Sequence, residues 1–262
     1  MRLFFGLEVH APWPEEFPLG RLLAPEARHI TFAFLGETDE KKLFPLLNEI
    51  PLPQRTLGWS GQFTNVEFFP KRHPHVAAWT MQWSRHENEL LEYQQQLSAW
   101  LLTHAIPHRD AHAFNPHVTL ARSPFDQRAW ENAFTPLPFY TSHFHLYQSL
   151  GNSTYKPIWT KPSQPPFIEI EHTADIAYQV FGASIEELFQ HAQLALAFKT
   201  PAFFNEAYPP FPIGSLDALI KGLNWQIAQL DQKEIIPFKA VSYHGDIEAQ
   251  ENTLMWEMIV DV

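Results

Sequence analysis

"HITFAFLGE", residues 29–37, sets a histidine and a threonine two positions apart at the start of a run of apolar residues. In a strand, positions i and i+2 share a face, so His29 and Thr31 stand side by side while Ile30 turns into a core. The pattern recurs once. "HVTLAR", residues 117–122, places His117 and Thr119 in the same relation 88 residues further on. One such histidine reads as a half-buried strand residue, but two matched copies predict two strands that bring four polar groups to one place.

Around these strands the pattern alternates. "RLFFGLEV" (2–9), "LGWSGQFTNVEFFP" (57–70), "HPHVAAWTMQW" (73–83) and "FYTSHFHLYQSLG" (139–151) read as strands rich in aromatic and branched residues. "DEKKLFPLLNEI" (39–50) predicts a helix with Asp39 and Glu40 in its first turn. A second helix is predicted over "RHENELLEYQQQLSAWLLTHAI" (85–106), with Leu90, Leu91, Leu97, Leu101 and Leu102 at helical spacing and Pro107 as the stop. The order of strands, helix, strands, helix, strands, with one His-x-Thr strand in each half, predicts a bilobal, pseudo-two-fold α+β domain.

"TKPSQPPF" (160–167) carries three prolines and ends that pattern. The expected organisation is a first domain over 1–161, a linker over 162–166 and a smaller α+β domain over 167–262. In the latter, "FIEIEHTADIAYQVFG" reads as strand, turn, strand, and "SIEELFQHAQLALAF" as a helix opened by Ser184 with Glu187 three residues on. "SLDALIKGLNWQIAQL" reads as a second helix, and the stretch from Phe238 to Val262 as a hairpin.

Composition limits the chemistry. The 262 residues include no cysteine, which excludes disulfides, thiolate nucleophiles and sulfur-ligated zinc. Net charge is −11, which disfavours a grip on long duplex nucleic acid. Residues 1–162 carry 14 Lys and Arg against 15 Asp and Glu, whereas residues 163–262 carry 4 against 14. The second part should therefore repel nucleic acid and attract cations or basic surfaces. No apolar run approaches membrane-spanning length and the N-terminus lacks a signal-peptide pattern, so a soluble cytoplasmic protein without membrane partners is expected.

Two imidazoles and two hydroxyls suit phosphodiester cleavage without a metal. One imidazole takes a proton from water, the other protonates the departing oxygen, and the hydroxyls hold non-bridging oxygens. Arg122, five positions past His117, can clamp phosphate. Other histidines compete for attention. His73 with His75, and His143 with His145, could pair as metal ligands, but no third ligand accompanies them in sequence and they read as exposed polar positions. His104, His108 and His112 recur every four residues and read as loop residues, interrupted by Pro107 and Asp110. Phe4, Phe5, Phe34 and Trp59 read mainly as core, with one near the cleft able to stack on a base.

With "RLFFGLEV", "HITFAFLGE", "FNPHVTLAR" and "LYQSLGNSTYKPI" in that order, residues 1–161 resemble the 2H phosphoesterase superfamily, specifically the bacterial LigT-type RNA 2′,3′-cyclic phosphodiesterases, also called 2′-5′ RNA ligases. The resemblance implies opening of an RNA or nucleoside 2′,3′-cyclic phosphate to a 2′-phosphate, possibly with reverse 2′-5′ ligation, and no cofactor. By position it implies His29 as acid, His117 as base, and Thr31, Thr119 and Arg122 as phosphate ligands. The segment between "LEVH" and "RHITFAF" departs from the family, being proline-rich and too short for its long first helix. Residues 167–262 resemble a shortened archease through "HTAD", "SIEELFQHA", "GLNWQIAQLD", "FKAVSYH" and the terminal "VDV". That likeness implies a divalent cation, Ca²⁺ or Mg²⁺, on Asp175 and Asp261, and an RtcB-type RNA ligase as partner. Both resemblances point to RNA ends; the alternative to an enzyme is an accessory protein that binds RNA ends and assists such a ligase.

Overall fold

The computed structural model describes residues 1–108, 114–173, 175–233, 236–250 and 253–262. Asp110 and His112, singled out above, lie outside them. The chain divides into two compact units, Met1–Ser163 and Gln164–Val262.

The first unit runs β1 (Arg2–His10), β2 (Arg21–Leu22), β3 (His29–Glu37), α1 (Glu40–Leu43), β4 (Ser60–Phe69), β5 (Val76–Trp83), α2 (Glu87–Thr103), β6 (His117–Arg122), α3 (Gln127–Asn132), β7 (Pro138–Gly151) and β8 (Thr154–Lys161). The sheet order is β1-β3-β6-β5-β4-β7-β8, and β1 also pairs with β7, which closes six strands into a ring. The ring has narrow joins. β3 and β6 meet at the single pair Ile30–Val118, and β4 and β7 at Ser60–Tyr140, Gly61–Phe139 and Gln62–Pro138. Between those joins lie two lobes, β3-β1-β7-β8 and β2-β6-β5-β4, each presenting its His-x-Thr strand to the other. α2 packs on β3 and α3 on β4.

One core fills the ring. Phe5, Phe63, Phe139 and Phe144, all with 1% exposure or less, are joined by Trp59, Trp79, Leu97 and Trp130. Burying each such side chain contributes roughly 1.5–3 kcal/mol. The helix expected over 39–50 is instead four residues capped by Asp39, whose side chain accepts from the Lys41 N–H, followed by a 3₁₀ segment, Phe44–Glu49. Pro45 has no N–H to continue the α pattern. α2 ends at Thr103, before Pro107, with Ala105 left-handed at φ 52°. The proline-rich segment after β1 carries no α-helix. Trp13 and Phe17 tie it to Trp79, Phe63 and Trp130, and the buried Arg28 guanidinium lies 4.6 Å over Trp13 and 5.0 Å over Phe17.

The second unit has β9 (Phe167–Ile170), β10 (Ile176–Gly182), α4 (Ile185–Lys199), α5 (Leu216–Asp231), β11 (Ala240–Val241), β12 (Glu248–Gln250) and β13 (Thr253–Asp261), with sheet order β11-β13-β10-β9 and β12 on β13. α4 lies on β10 and β13, with α5 against it. Ser184 caps α4 by accepting from the Glu187 N–H. Glu187 reaches back to the Ala183 N–H, one residue before the cap, at 2.6 Å.

Candidate active site

The single pair that joins β3 to β6 fixes the site. Ile30 and Val118 are fully buried and point into the core, so the flanking residues of both strands face the other way. Continuing that antiparallel register sets His29 opposite Thr119 and Thr31 opposite His117, around a pseudo-two-fold axis through the Ile30–Val118 pair.

Each histidine is oriented in the same manner. His29 Nδ1 lies 2.8 Å from the Ala27 carbonyl and His117 Nδ1 2.9 Å from the Asn115 carbonyl. A carbonyl only accepts, so both Nδ1 atoms carry the proton, and each Nε2 is left as a lone pair for the cleft. Phe4 stacks on His29 at 4.6 Å and Phe69 lies 4.9 Å from His117. Among the described residues the Thr31 and Thr119 hydroxyls hydrogen-bond no other residue.

Arg122 is an odd number of residues beyond His117, and strict alternation would turn it to the core. A register shift between Ala77 and Ala78 opposite β6 spends the extra residue, so Leu120 and Ala121 are both buried and Arg122 rejoins the face of His117. β3 does the same, with a shift opposite Phe5 and Gly6 and with Phe32 and Ala33 both buried. The two strands therefore share one burial pattern over six residues, and the position of Arg122 in one lobe is that of Phe34 in the other.

All five residues expected from sequence line a single cavity of about 590 Å³: His29, Thr31, His117, Thr119 and Arg122. Arg2, Arg21, His75, Phe34 and Tyr155 line it too, and no described carboxylate does. His75 is exposed, as its sequence context predicts, and it also borders the cleft. The cleft is cationic in a chain of net charge −11. Burial pushes the His29 pKa down to about 4, against the Ala27 hydrogen bond, and the positive neighbours His117, Arg122 and His145 push the same way. His117 is also lowered by burial, but Glu67 favours its charged form, a help His29 does not receive.

Beside the cleft, β1 and β7 build a second polar cluster. Glu8 accepts from the Ser142 hydroxyl at 2.8 Å and lies 3.4 Å from His143 Nδ1 and 3.7 Å from both His10 and His145. These contacts hold its carboxyl well below the ordinary range. His145, expected to be exposed, is 7% exposed and meets the Thr160 hydroxyl through Nδ1 at 2.9 Å. Residues 8 and 145 are far apart in sequence, so no local spacing announces this cluster.

Asp175 and Asp261 are brought to the same end of one sheet. Ile176 pairs with Val260, so the two aspartates are the next residues outward at one end of β10 and β13. Asp261 Oδ1 accepts from Ser242 at 2.9 Å, and Asp175 lies 3.8 Å from His172. A hard cation such as Ca²⁺ takes six to eight oxygens. The two carboxylates would supply part of such a shell, and Mg²⁺ is commonly held by one or two carboxylates with waters completing it; among the described residues no group of three or more His, Asp or Glu is placed to hold a metal.

No family model matches the chain, and no curated protein does. Among solved structures it is similar to LigT of E. coli in complex with 3′-AMP, at 20% identity over 62% of this chain and 97% of that one, with a TM-score of 0.46. It is similar to TT0787 of Thermus thermophilus, at 22% identity over 63% and 99%, TM-score 0.46, and to a protein titled a phosphoesterase, at 20% over 62% and 98%, TM-score 0.43. No helix among the described residues is long and apolar enough to cross a membrane.

Proposed function

We propose that the first unit is a metal-independent phosphodiesterase that opens 2′,3′-cyclic phosphates at RNA ends or on nucleosides, leaving a 2′-phosphate. The observation that carries the reading is the pair of imidazoles with both Nδ1 protons fixed on backbone carbonyls. Their Nε2 atoms then face one cleft that no described carboxylate lines, between two hydroxyls that bond no other described residue.

In the reaction, one Nε2 removes a proton from the water that attacks phosphorus. The other imidazole, protonated, gives its proton to O3′ as the P–O3′ bond breaks. Two protons change hands, and the histidine pair ends with its roles exchanged. Thr31, Thr119 and Arg122 donate to the non-bridging oxygens, whose charge grows as the fifth bond to phosphorus forms. We take His29 as the acid and His117 as the base, the roles that the resemblance of their motifs implies. Phe34 and Tyr155, both lining the cleft, are the rings placed to meet the nucleobase.

The test is turnover of a short RNA ending in 2′,3′-cyclic phosphate, in EDTA, with the product's phosphate position identified. A 2′-phosphate formed at an undiminished rate supports the reading. A 3′-phosphate, or loss of activity with the chelator, contradicts it.

A further inference from the structure

Three guanidiniums face the cleft, and holding one phosphate between the histidines accounts for Arg122 alone. Arg2 lies 5.2 Å over the Phe34 ring. Arg21 is different: it is the direct partner of Arg122 across β2 and β6, so their Cα atoms stand about 5 Å apart. Like charges opposite each other in a strand pair are destabilising. Among the described residues neither arginine has a hydrogen bond or ion pair, and no carboxylate lines the cavity.

The backbone nevertheless holds Arg21 firmly there. The Leu23 N–H donates to the Leu120 carbonyl at 2.8 Å, and the buried Arg28 guanidinium donates to the Leu23 carbonyl. Trp130 Nε1 donates to the Leu19 carbonyl at 3.3 Å. Gly20 is pressed so close to β6 that a Cβ there would lie 3.1 Å from that of Ala121. Two strand residues, fastened on both sides, thus present a second uncompensated cation next to the first.

Resting on the reading of the cleft given above, we propose that Arg21 binds a second phosphate, the one on the 5′ side of the terminal nucleoside, while Arg122 holds the reacting phosphate. The cleft is then built for an oligoribonucleotide end rather than a cyclic mononucleotide. The lobes agree with that polarity: at equivalent positions one supplies an aromatic ring, Phe34, and the other a guanidinium, Arg122. The base lies toward the first lobe and the phosphates toward the second.

Calorimetric titration of the full chain with adenosine 2′-phosphate and with adenosine 2′,5′-bisphosphate tests this. The unaltered protein should bind the bisphosphate about 10-fold or more tightly, as expected for one charge-assisted contact. In Arg21→Ala that ratio should fall to within about 3-fold of one, with Arg21→Lys between. Because the ratio is taken within one sample, a partly unfolded fraction cancels. A ratio near one in the unaltered protein overturns the proposal. So does an Arg21→Ala variant that weakens both ligands equally, since both arginines would then share one phosphate. Binding requires no turnover: tenfold preference without cyclic-phosphate opening would refute the hydrolase and keep the subsite, and the reverse would refute the subsite and keep the hydrolase.

Discussion

His29 and His117 are locked by the same bond and differ in what surrounds them. His29→Ala and His117→Ala should each lower kcat by roughly two to four orders of magnitude, the usual contribution of a general acid or base. A substrate with sulfur in place of O3′ separates the roles, because a thiolate leaves without protonation. With His29 as the acid, His29→Ala should recover most of its rate on that substrate and His117→Ala should not; the opposite result would exchange the assignments. The pH profile follows from the shifts. Productive free enzyme carries one protonated and one neutral imidazole, and both pKa values lie below the ordinary 6.5, that of His29 at about 4. The singly protonated form therefore declines about tenfold per pH unit above 6.5, and kcat/KM should peak on the acid side and fall with that slope. A plateau reaching pH 8 would mean that the proton is held elsewhere.

At the scale of the strand, the site depends on a missing side chain. Gly6 pairs with Thr31, and a Cβ on it would lie 2.9 Å from the Ile30 carbonyl oxygen and 3.4 Å from the His29 ring. Gly6→Ala should part β1 from β3, costing about 1–3 kcal/mol in denaturant unfolding. It should also lower kcat by tenfold or more through the displaced imidazole. Lost stability with unchanged kcat would leave Gly6 a packing residue only. The four-group cluster was legible in the sequence because a period of two survives any twist of the sheet. Arg122 joined it only through a shift in register, which leaves no mark in "HVTLAR" and depends on how β5 counts against β6. The Glu8 cluster, the cleft position of His75 and the short strand bearing Arg21 were illegible for a related reason: each is made by residues distant in sequence, joined by strand pairing. α3 and β8 went unseen as well. α3 is six residues long, and half-exposed β8 lacks the apolar alternation that marks a strand.

For the whole molecule, charge and packing divide at the same place. The units separate between Ser163 and Gln164, and the excess of acid lies almost wholly beyond that point, 14 Asp and Glu against 4 Lys and Arg in residues 163–262. The first unit holds every residue lining the cleft and a core of its own that closes the strand ring. A polyanion brought to the cleft must move through the field of the entire chain, and the acidic half opposes it. A chain of residues 1–163 should therefore unfold cooperatively by itself and open a cyclic-phosphate RNA with kcat within a few fold of the full chain. Its KM should be lower at low salt, and the difference should shrink as ionic strength rises and screens the removed charge. If the shortened chain folds but loses kcat by a hundredfold or more, the acidic half contributes to the chemistry itself, and the reaction cannot be assigned to the first unit alone.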